Sequence, residues 1–175
     1  MNSAVEVAKG IYWVGVNDKE TDLFEALWPL PRGVAYNSYL VTGEKVALID
    51  TVKAFFLTDL VAKVKRLLGE DKPIDYLVVN HMEPDHSGSI KILKTLYPGL
   101  KIICNSQTVK MLENFYSVTD DIVQIKDGEE IDLGGHVLKF FLTPMVHWPE
   151  TMMTYDKTTK TLFSCDAFGG FGCLE

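Results

Sequence analysis

The sequence has few of the features that mark several protein classes. Three cysteines in 175 residues, Cys104, Cys165 and Cys173, are too few for a disulfide scaffold and indicate a reducing compartment, so we expect a cytoplasmic protein. No apolar run approaches the roughly 18 residues of a membrane span, and the first six residues lack the basic and apolar segments of a secretory signal. The net charge of −7 argues against nucleic acid as a partner, because phosphate binding needs a basic surface. We therefore expect neither a membrane nor a nucleic-acid partner.

The composition instead fits a globular protein, with 47% hydrophobic and 23% charged residues, and we expect one domain over residues 1–175. The hydrophobic pattern predicts a mixed α/β (α+β) chain, in which strands alternate with helices in the first half and dominate the second. The predicted strands cover residues 11–16, 34–41, 45–49, 76–79, 101–104, 122–125, 129–133, 136–142, 151–155 and 161–164. The predicted helices cover residues 54–68, a segment capped by Ser87 or Ser89 that ends near Tyr97, and residues 106–116, and residues 22–33 form an irregular apolar loop.

A polar segment directly follows the apolar strand 76–79. It contains four residues of metal-ligating type within six positions, His81, Glu83, Asp85 and His86. In an extended backbone the first three would share one side, and the carboxyl end of a strand is where open α/β sheets place their sites. Imidazole with carboxylate suits zinc, iron or manganese. The alternative to a metal site is a polar surface loop. If the segment does bind metal, four ligands this close are hard to arrange around one ion and suit two ions about 3.5–4 Å apart.

Further candidates also follow predicted strands. His147 lies in a His-Trp-Pro segment, and Asp166 follows the strand 161–164. Each has a structural alternative, a packed core histidine for His147 and a turn or cap for Asp166, but beside the first cluster both become candidate ligands. Asp50 ends the strand 45–49 and is either a hydrogen-bond partner that orients a ligand histidine or a strand-end cap. His136 follows two glycines and is interpreted as a surface residue.

These residues together resemble the metallo-β-lactamase superfamily and, more narrowly, the flavodiiron proteins, also called A-type flavoproteins. The resemblance rests on His81-x-Glu83-x-Asp85-His86, His147 before Trp-Pro, and Asp166 in Cys-Asp-Ala-Phe-Gly-Gly, and it covers nearly the whole chain. It implies an αββα sandwich whose second half is incomplete here. It also implies that His81, Glu83 and His147 hold one iron ion, that Asp85 and His86 hold another, and that Asp166 bridges them. Glu83 replaces the histidine of the zinc hydrolases, which makes the catalytic carboxylates Glu83, Asp85 and Asp166 three anionic ligands suited to iron.

The resemblance further implies a reductase of dioxygen to water, of nitric oxide to nitrous oxide, or of both. In this family the electrons come from FMN in a flavodoxin-like domain, and rubredoxin is a common donor of those electrons. Head-to-tail homo-oligomers, either dimers or dimers of dimers, would place Glu83 and Trp148 near a partner subunit's flavin. The family's flavodoxin-like domain and a further histidine ligand of the second iron are not in these 175 residues, which predicts a fragment or a chain that needs a partner. Two alternatives remain, a zinc-dependent hydrolase of the same superfamily and a non-catalytic module of an assembly.

Overall fold

A computed structural model describes residues 3–174, which form fifteen β-strands and four α-helices. The strands are β1 (Val5–Ala8), β2 (Ile11–Trp13), β3 (Val16–Asp18), β4 (Leu23–Phe24), β5 (Trp28–Pro29), β6 (Val34–Tyr36), β7 (Tyr39–Thr42), β8 (Val46–Ile49), β9 (Tyr76–Val78), β10 (Lys101–Cys104), β11 (Ile122–Gln124), β12 (Glu130–Asp132), β13 (Val137–Leu142), β14 (Met152–Asp156) and β15 (Thr161–Phe163). The helices are α1 (Leu57–Leu68), α2 (Pro84–Ser87), α3 (Ile90–Leu96) and α4 (Ser106–Tyr116). None of them is long and apolar enough to cross a membrane, in the part of the chain that is described.

Two sheets dominate the fold. The larger has seven strands in the order β1-β2-β7-β8-β9-β10-β11, antiparallel as far as β8 and parallel from β8 to β11. The smaller is an antiparallel meander, β12-β13-β14-β15, and two short two-stranded ribbons pair β3 with β6 and β4 with β5. Helical crossovers join the parallel strands, as such strands require. This is the mixed α/β class that the sequence predicts.

Two hydrophobic cores cover the two faces of the larger sheet. In β8, Leu48 belongs to the core beneath the helices, which includes Leu60 of α1, whereas its neighbour Ile49 belongs to the core between the two sheets, which includes Phe140 of β13. Successive side chains of a strand point to opposite faces, so a strand buried on both faces is apolar throughout. All four residues of β8 are buried. The layers are therefore helices, larger sheet and smaller sheet.

Two predicted strands are each divided into two. The predicted strand 11–16 becomes β2 and β3, and 34–41 becomes β6 and β7. Both bend at one place, where the Val14 amide donates to the Ser38 carbonyl oxygen at 2.8 Å and Trp13 Nε1 donates to Asn37 Oδ1 at 2.9 Å. A Cβ atom on Gly15 would lie 2.1 Å from the Tyr36 carbonyl oxygen, so this close approach needs glycine. Beyond the bend the two segments leave the larger sheet and pair as β3 and β6.

The segment from His81 to Asp85 is not extended throughout. Pro84 begins the short helix α2, where a proline is well accommodated because the first helical residue needs no amide hydrogen. Asp85 and His86 therefore project from a helical turn instead of alternating along a strand. Ser89 precedes α3, but its hydroxyl donates to the Val52 carbonyl oxygen at 2.8 Å and does not cap the helix.

Candidate metal centre

The loop that carries the polar segment is fixed by Asn80, directly after β9. The Asn80 amide nitrogen and Nδ2 donate to the two carboxylate oxygens of Asp50 at 2.7 and 3.0 Å. Asn80 Oδ1 accepts from the Thr154 hydroxyl at 2.7 Å, and its carbonyl oxygen accepts from the Met152 amide at 2.9 Å. Asp50 therefore orients the residue before His81 and hydrogen-bonds to no histidine among residues 3–174. Burial raises the pKa of Asp50 to about 6, although nearby His86 and the bonds from Asn80 oppose the rise.

One group of side chains converges from three loops of the two sheets. His81, Glu83, His147 and Asp166 each offer one ligand atom, and these atoms all lie within 4.8 Å of one another. Glu83 Oε2 lies 3.2 Å from both His81 Nε2 and His147 Nε2. Atoms bound to one ion by bonds of about 2.0–2.2 Å are roughly 3–3.5 Å apart. These separations therefore suit side chains that share an ion.

A second group meets the first at Asp166. Asp166 Oδ1 lies 2.8 Å from His86 Nε2, and that nitrogen is also 3.4 Å from Asp85 Oδ2. Asp166 Oδ2 faces the other way, 3.5 Å from His147 Nε2 and 3.9 Å from His81 Nε2. The two oxygens of one carboxylate thus face two different groups of candidate ligands.

The two buried histidines are held in a strongly negative environment. Burial alone would lower the pKa of His81, but the hydrogen bonds to Glu150 and Glu83 raise it to about 9. Burial also opposes the charge on His86, and the hydrogen bond to Asp166 with the surrounding carboxylates raises its pKa to about 9. The carboxylates therefore demand compensating positive charge, which either protons on the rings or bound cations can supply.

Asp85 gives a test of whether a metal fits here. Its side chain is buried, and Oδ1 has no hydrogen-bond partner among the described residues. Burial raises the pKa of this carboxyl in spite of the attraction of His86. A buried carboxylate oxygen without a donor is costly unless a cation neutralises it. The donor set of the centre, three imidazoles and three carboxylates of which one has an orphaned oxygen, fits an oxygen- and nitrogen-preferring transition metal such as iron.

Glu150 is a candidate functional residue that no sequence motif indicates. Glu150 is 1% exposed, and its Oε1 lies 2.8 Å from His81 Nδ1 and accepts from the Met82 amide at 2.9 Å. A carboxylate in this position can orient a candidate ligand histidine, which is one of the two roles expected for Asp50. The signal in the sequence is weak, because Glu150 follows His147-Trp148-Pro149 but lies 69 residues from its partner.

Cys165 is a second residue that contacts Nδ1 of a candidate ligand histidine and that no sequence motif indicates. Its Sγ lies 3.6 Å from His86 Nδ1, and Asp50, His86 and Cys165 offer ligand-type atoms within 4.8 Å of one another. Burial raises the pKa of the Cys165 thiol well above its usual range, so the sulfur is a neutral neighbour of the histidine.

The converging side chains open into a cavity of about 560 Å³. Its walls include Phe24, Trp28, Asn37, Glu83, His147 and Asp166. The side chain of His147 is 54% exposed, so solvent reaches the centre from this side. Trp148 packs edge-on against His81, with 5.1 Å between ring centroids, and is not among the residues that line the cavity in the described chain.

The interpretation of His136 as a surface residue is wrong. His136 is 6% exposed, and its Nδ1 lies 3.0 Å from Oδ2 of Asp156, which is fully buried. Its ring also covers Gly10, where a Cβ atom would lie 2.8 Å from Nε2. His136 is buried because it pairs with Asp156 of β14, a contact that the two glycines before His136 do not indicate.

Comparison with known proteins shows what the chain is similar to. Residues 34–173 match the family model described as ODP family beta lactamase. The chain is 38% identical over 171 residues to a nitric oxide reductase of Moorella thermoacetica, covering 97% of this chain and 43% of the relative.

Two solved structures show the same likeness in three dimensions. The rubredoxin oxygen:oxidoreductase of Desulfovibrio gigas is 34% identical with a TM-score of 0.93, over 98% of this chain and 43% of that one. The flavodiiron protein of Giardia intestinalis is 30% identical with a TM-score of 0.92, over 99% and 42%. The chain thus spans about two fifths of the length of these proteins, and the likeness confirms the expected β-lactamase-like fold.

Proposed function

Because this chain belongs to the flavodiiron protein family, whose β-lactamase-like domain it matches, we propose that it holds two iron ions and reduces dioxygen to water or nitric oxide to nitrous oxide. The matched proteins named nitric oxide reductase and rubredoxin oxygen:oxidoreductase support both substrates. The proposal covers residues 1–175 as the diiron domain, with electrons from FMN on a flavodoxin-like domain that these residues do not include.

One observation carries the two-ion proposal. The oxygens of Asp166 face different groups, Oδ1 toward His86 at 2.8 Å and Oδ2 toward His147 at 3.5 Å. A carboxylate placed between two sets of ligands is the arrangement by which paired ions share a bridge. A single-ion site would leave one of these groups, with the orphaned oxygen of Asp85, without a cation.

We propose a separate ligand set for each of the two ions. We assign His81, Glu83 and His147 to one ion, Asp85 and His86 to the other, and Asp166 to both. When bound, two ferrous ions supply electrons and open coordination positions for a diatomic molecule. Glu83, Asp85 and Asp166 stabilise the higher charge of oxidised iron, since anionic oxygen ligands favour it.

The position of the cavity supports the partners we propose. Trp28, 59% exposed, and Phe171, 51% exposed, line its walls, and an exposed apolar rim suits contact with another protein surface. We propose that a flavin domain of a partner subunit, in a head-to-tail dimer or a dimer of dimers, covers this side with its FMN near Glu83 and Trp148, and that a rubredoxin-type protein donates the electrons. All three cysteines are free, which supports the proposed cytoplasmic location.

Metal content tests the proposal. The chain is purified without oxygen, stripped with chelator, reloaded with ferrous iron and measured by elemental mass spectrometry. We expect two irons per chain, about one in Asp85→Ala, and less than one in Asp166→Ala because both ions lose a ligand. Asp71→Ala, an exposed aspartate outside the cavity, is the matched control.

The substrates are tested on the same loaded samples. The rate of oxygen or nitric oxide consumption with reduced FMN is measured with an electrode. At equal total iron, the rate of wild type should exceed that of Asp166→Ala. Two tightly bound zinc ions that iron does not displace would favour the hydrolase alternative. Fewer than two irons in wild type would overturn the two-ion proposal.

A further inference from the structure

The two buried histidines of the centre are oriented by unlike partners. His81 Nδ1 lies 2.8 Å from an oxygen of Glu150, whereas His86 Nδ1 lies 3.6 Å from the sulfur of Cys165. A carboxylate is a strong, charged acceptor, while a thiol is a weak one. The centre is therefore asymmetric in how firmly its histidines are held.

The Nδ1 proton of His86 needs a hydrogen-bond acceptor if Nε2 binds a metal ion. Nε2 of His86 faces Asp85 and Asp166, so a cation held by those carboxylates meets Nε2. A histidine that binds a metal through one nitrogen keeps its proton on the other, which then needs an acceptor. On the Nδ1 side the acceptor within reach, among residues 3–174, is the sulfur of Cys165.

Asp50 does not replace the thiol. Its carboxylate lies near His86 and Cys165, but among the described residues it accepts from Asn80 and forms no hydrogen bond with His86. A cavity of about 60 Å³ borders Asp50, His86 and Cys165, so no protein atom fills that space. The imidazole consequently has room to move on the side where its restraint is weakest.

We propose that Cys165 is the positioning residue of His86 and that its weak hydrogen bond makes the Asp85–His86 position the lower-affinity half of the centre. This inference rests on the proposed function, because it needs two ions that share Asp166. It adds an order of occupation, in which the His81 position fills first and the His86 position fills last.

Two substitutions separate the hydrogen bond from the packing. Cys165→Ala leaves the Nδ1 proton of His86 without an acceptor, while Cys165→Ser has nearly the same volume and restores a hydroxyl acceptor. Losing the partner that orients a ligand histidine typically costs about 10–100-fold in metal affinity. Cys173→Ala is the control, because its sulfur lies 3.5 Å from the Asp18 carbonyl oxygen and does not contact His86.

The experiment is a cobalt(II) titration of the chelator-stripped chain, followed by calorimetry and electron paramagnetic resonance. Wild type should bind two ions of unequal affinity, and the resonance of the first ion should fade when the second couples to it through Asp166. In Cys165→Ala we expect the second affinity to fall about 10–100-fold with the first unchanged, so the uncoupled signal persists. Cys165→Ser restores an acceptor no weaker than a thiol, so it should bind the second ion about as tightly as wild type, and Cys173→Ala should also match wild type.

The outcomes tell the inference apart from the proposed function. Wild type that binds two ions, with Cys165→Ala binding both equally well, overturns the role of Cys165 alone. Equal losses in the Ala and Ser variants also overturn it, because packing and not the hydrogen bond would then be responsible. Wild type that binds a single ion overturns the two-ion centre itself, and this inference with it.

Discussion

Replacing Glu150 by glutamine tests how the protein holds His81, the most buried of the proposed ligand histidines. Glutamine keeps the size of the side chain and one acceptor oxygen but removes the charge. In wild type, Oε1 of Glu150 is 2.8 Å from His81 Nδ1 and accepts a hydrogen bond from the Met82 amide at 2.9 Å. A hydrogen bond to a charged group is worth about 1 kcal/mol more than a neutral one. Two weakened bonds therefore predict a loss of about 2 kcal/mol in the free energy of unfolding.

The loss should depend on pH in the metal-free protein. The pKa of His81 rises from 6.5 to about 9 on folding. Its protonated form therefore contributes stability that is fully present below pH 6.5 and is lost as the pH rises through 9. Glu150→Gln should accordingly be most destabilising near pH 6 and least destabilising above pH 9. In the iron-loaded protein at neutral pH, we expect a 10–100-fold weaker affinity, or about 1.4–2.8 kcal/mol.

The assay is urea unfolding of chelator-stripped protein at pH 6 and pH 9.5, followed by ferrous iron titration at pH 7.5. Glu113→Gln is the matched control, because Glu113 is exposed on α4. An equal loss of stability at both pH values would refute the charge argument. Unchanged iron affinity would refute the assignment of His81 as a ligand oriented by Glu150.

Two further predictions concern the fold away from the centre. His136→Ala removes the imidazole 3.0 Å from the fully buried Asp156, so denaturant unfolding should show a loss of about 2–4 kcal/mol with unchanged iron content. Gly15→Ala places a Cβ atom 2.1 Å from the Tyr36 carbonyl oxygen, whereas Gly99→Ala meets nothing within 4 Å. Thermal unfolding should show a loss of about 1–3 kcal/mol for Gly15→Ala and near-neutral behaviour for Gly99→Ala, and equal melting temperatures would contradict the close approach.

The sequence was most informative where neighbouring residues alone decide the structure. The apolar strand β9 and the polar loop after it were predictable, because a strand buried on both faces has an unmistakable composition. Helix α1 was also predictable, from its apolar periodicity and the closing Gly69. The candidate ligands were named from local motifs, and the structure brings them together at one end of the two sheets.

The remaining features depend on pairings that no local pattern contains. Glu150 and Cys165 act on histidines 69 and 79 residues away, so their roles appear only once the two sheets are packed. The burial of His136 likewise depends on Asp156 of the next strand. The division of the predicted strand 11–16 at Gly15 results from the approach of the chain near Tyr36. Each of these errors has the same cause, a tertiary contact that overrides a local preference.

The bonding of Asn80 has a consequence for how the molecule opens. A loop that carries functional side chains ordinarily exchanges its amide hydrogens early, through local fluctuations. Here each polar group of Asn80 is bonded either to Asp50, after a strand of the larger sheet, or to Met152 and Thr154 of the smaller one. Opening the chain at Asn80 breaks bonds to both sheets, so we expect this loop to open together with the core. A substitution that destabilises the core anywhere should therefore also hasten the escape of a bound ion.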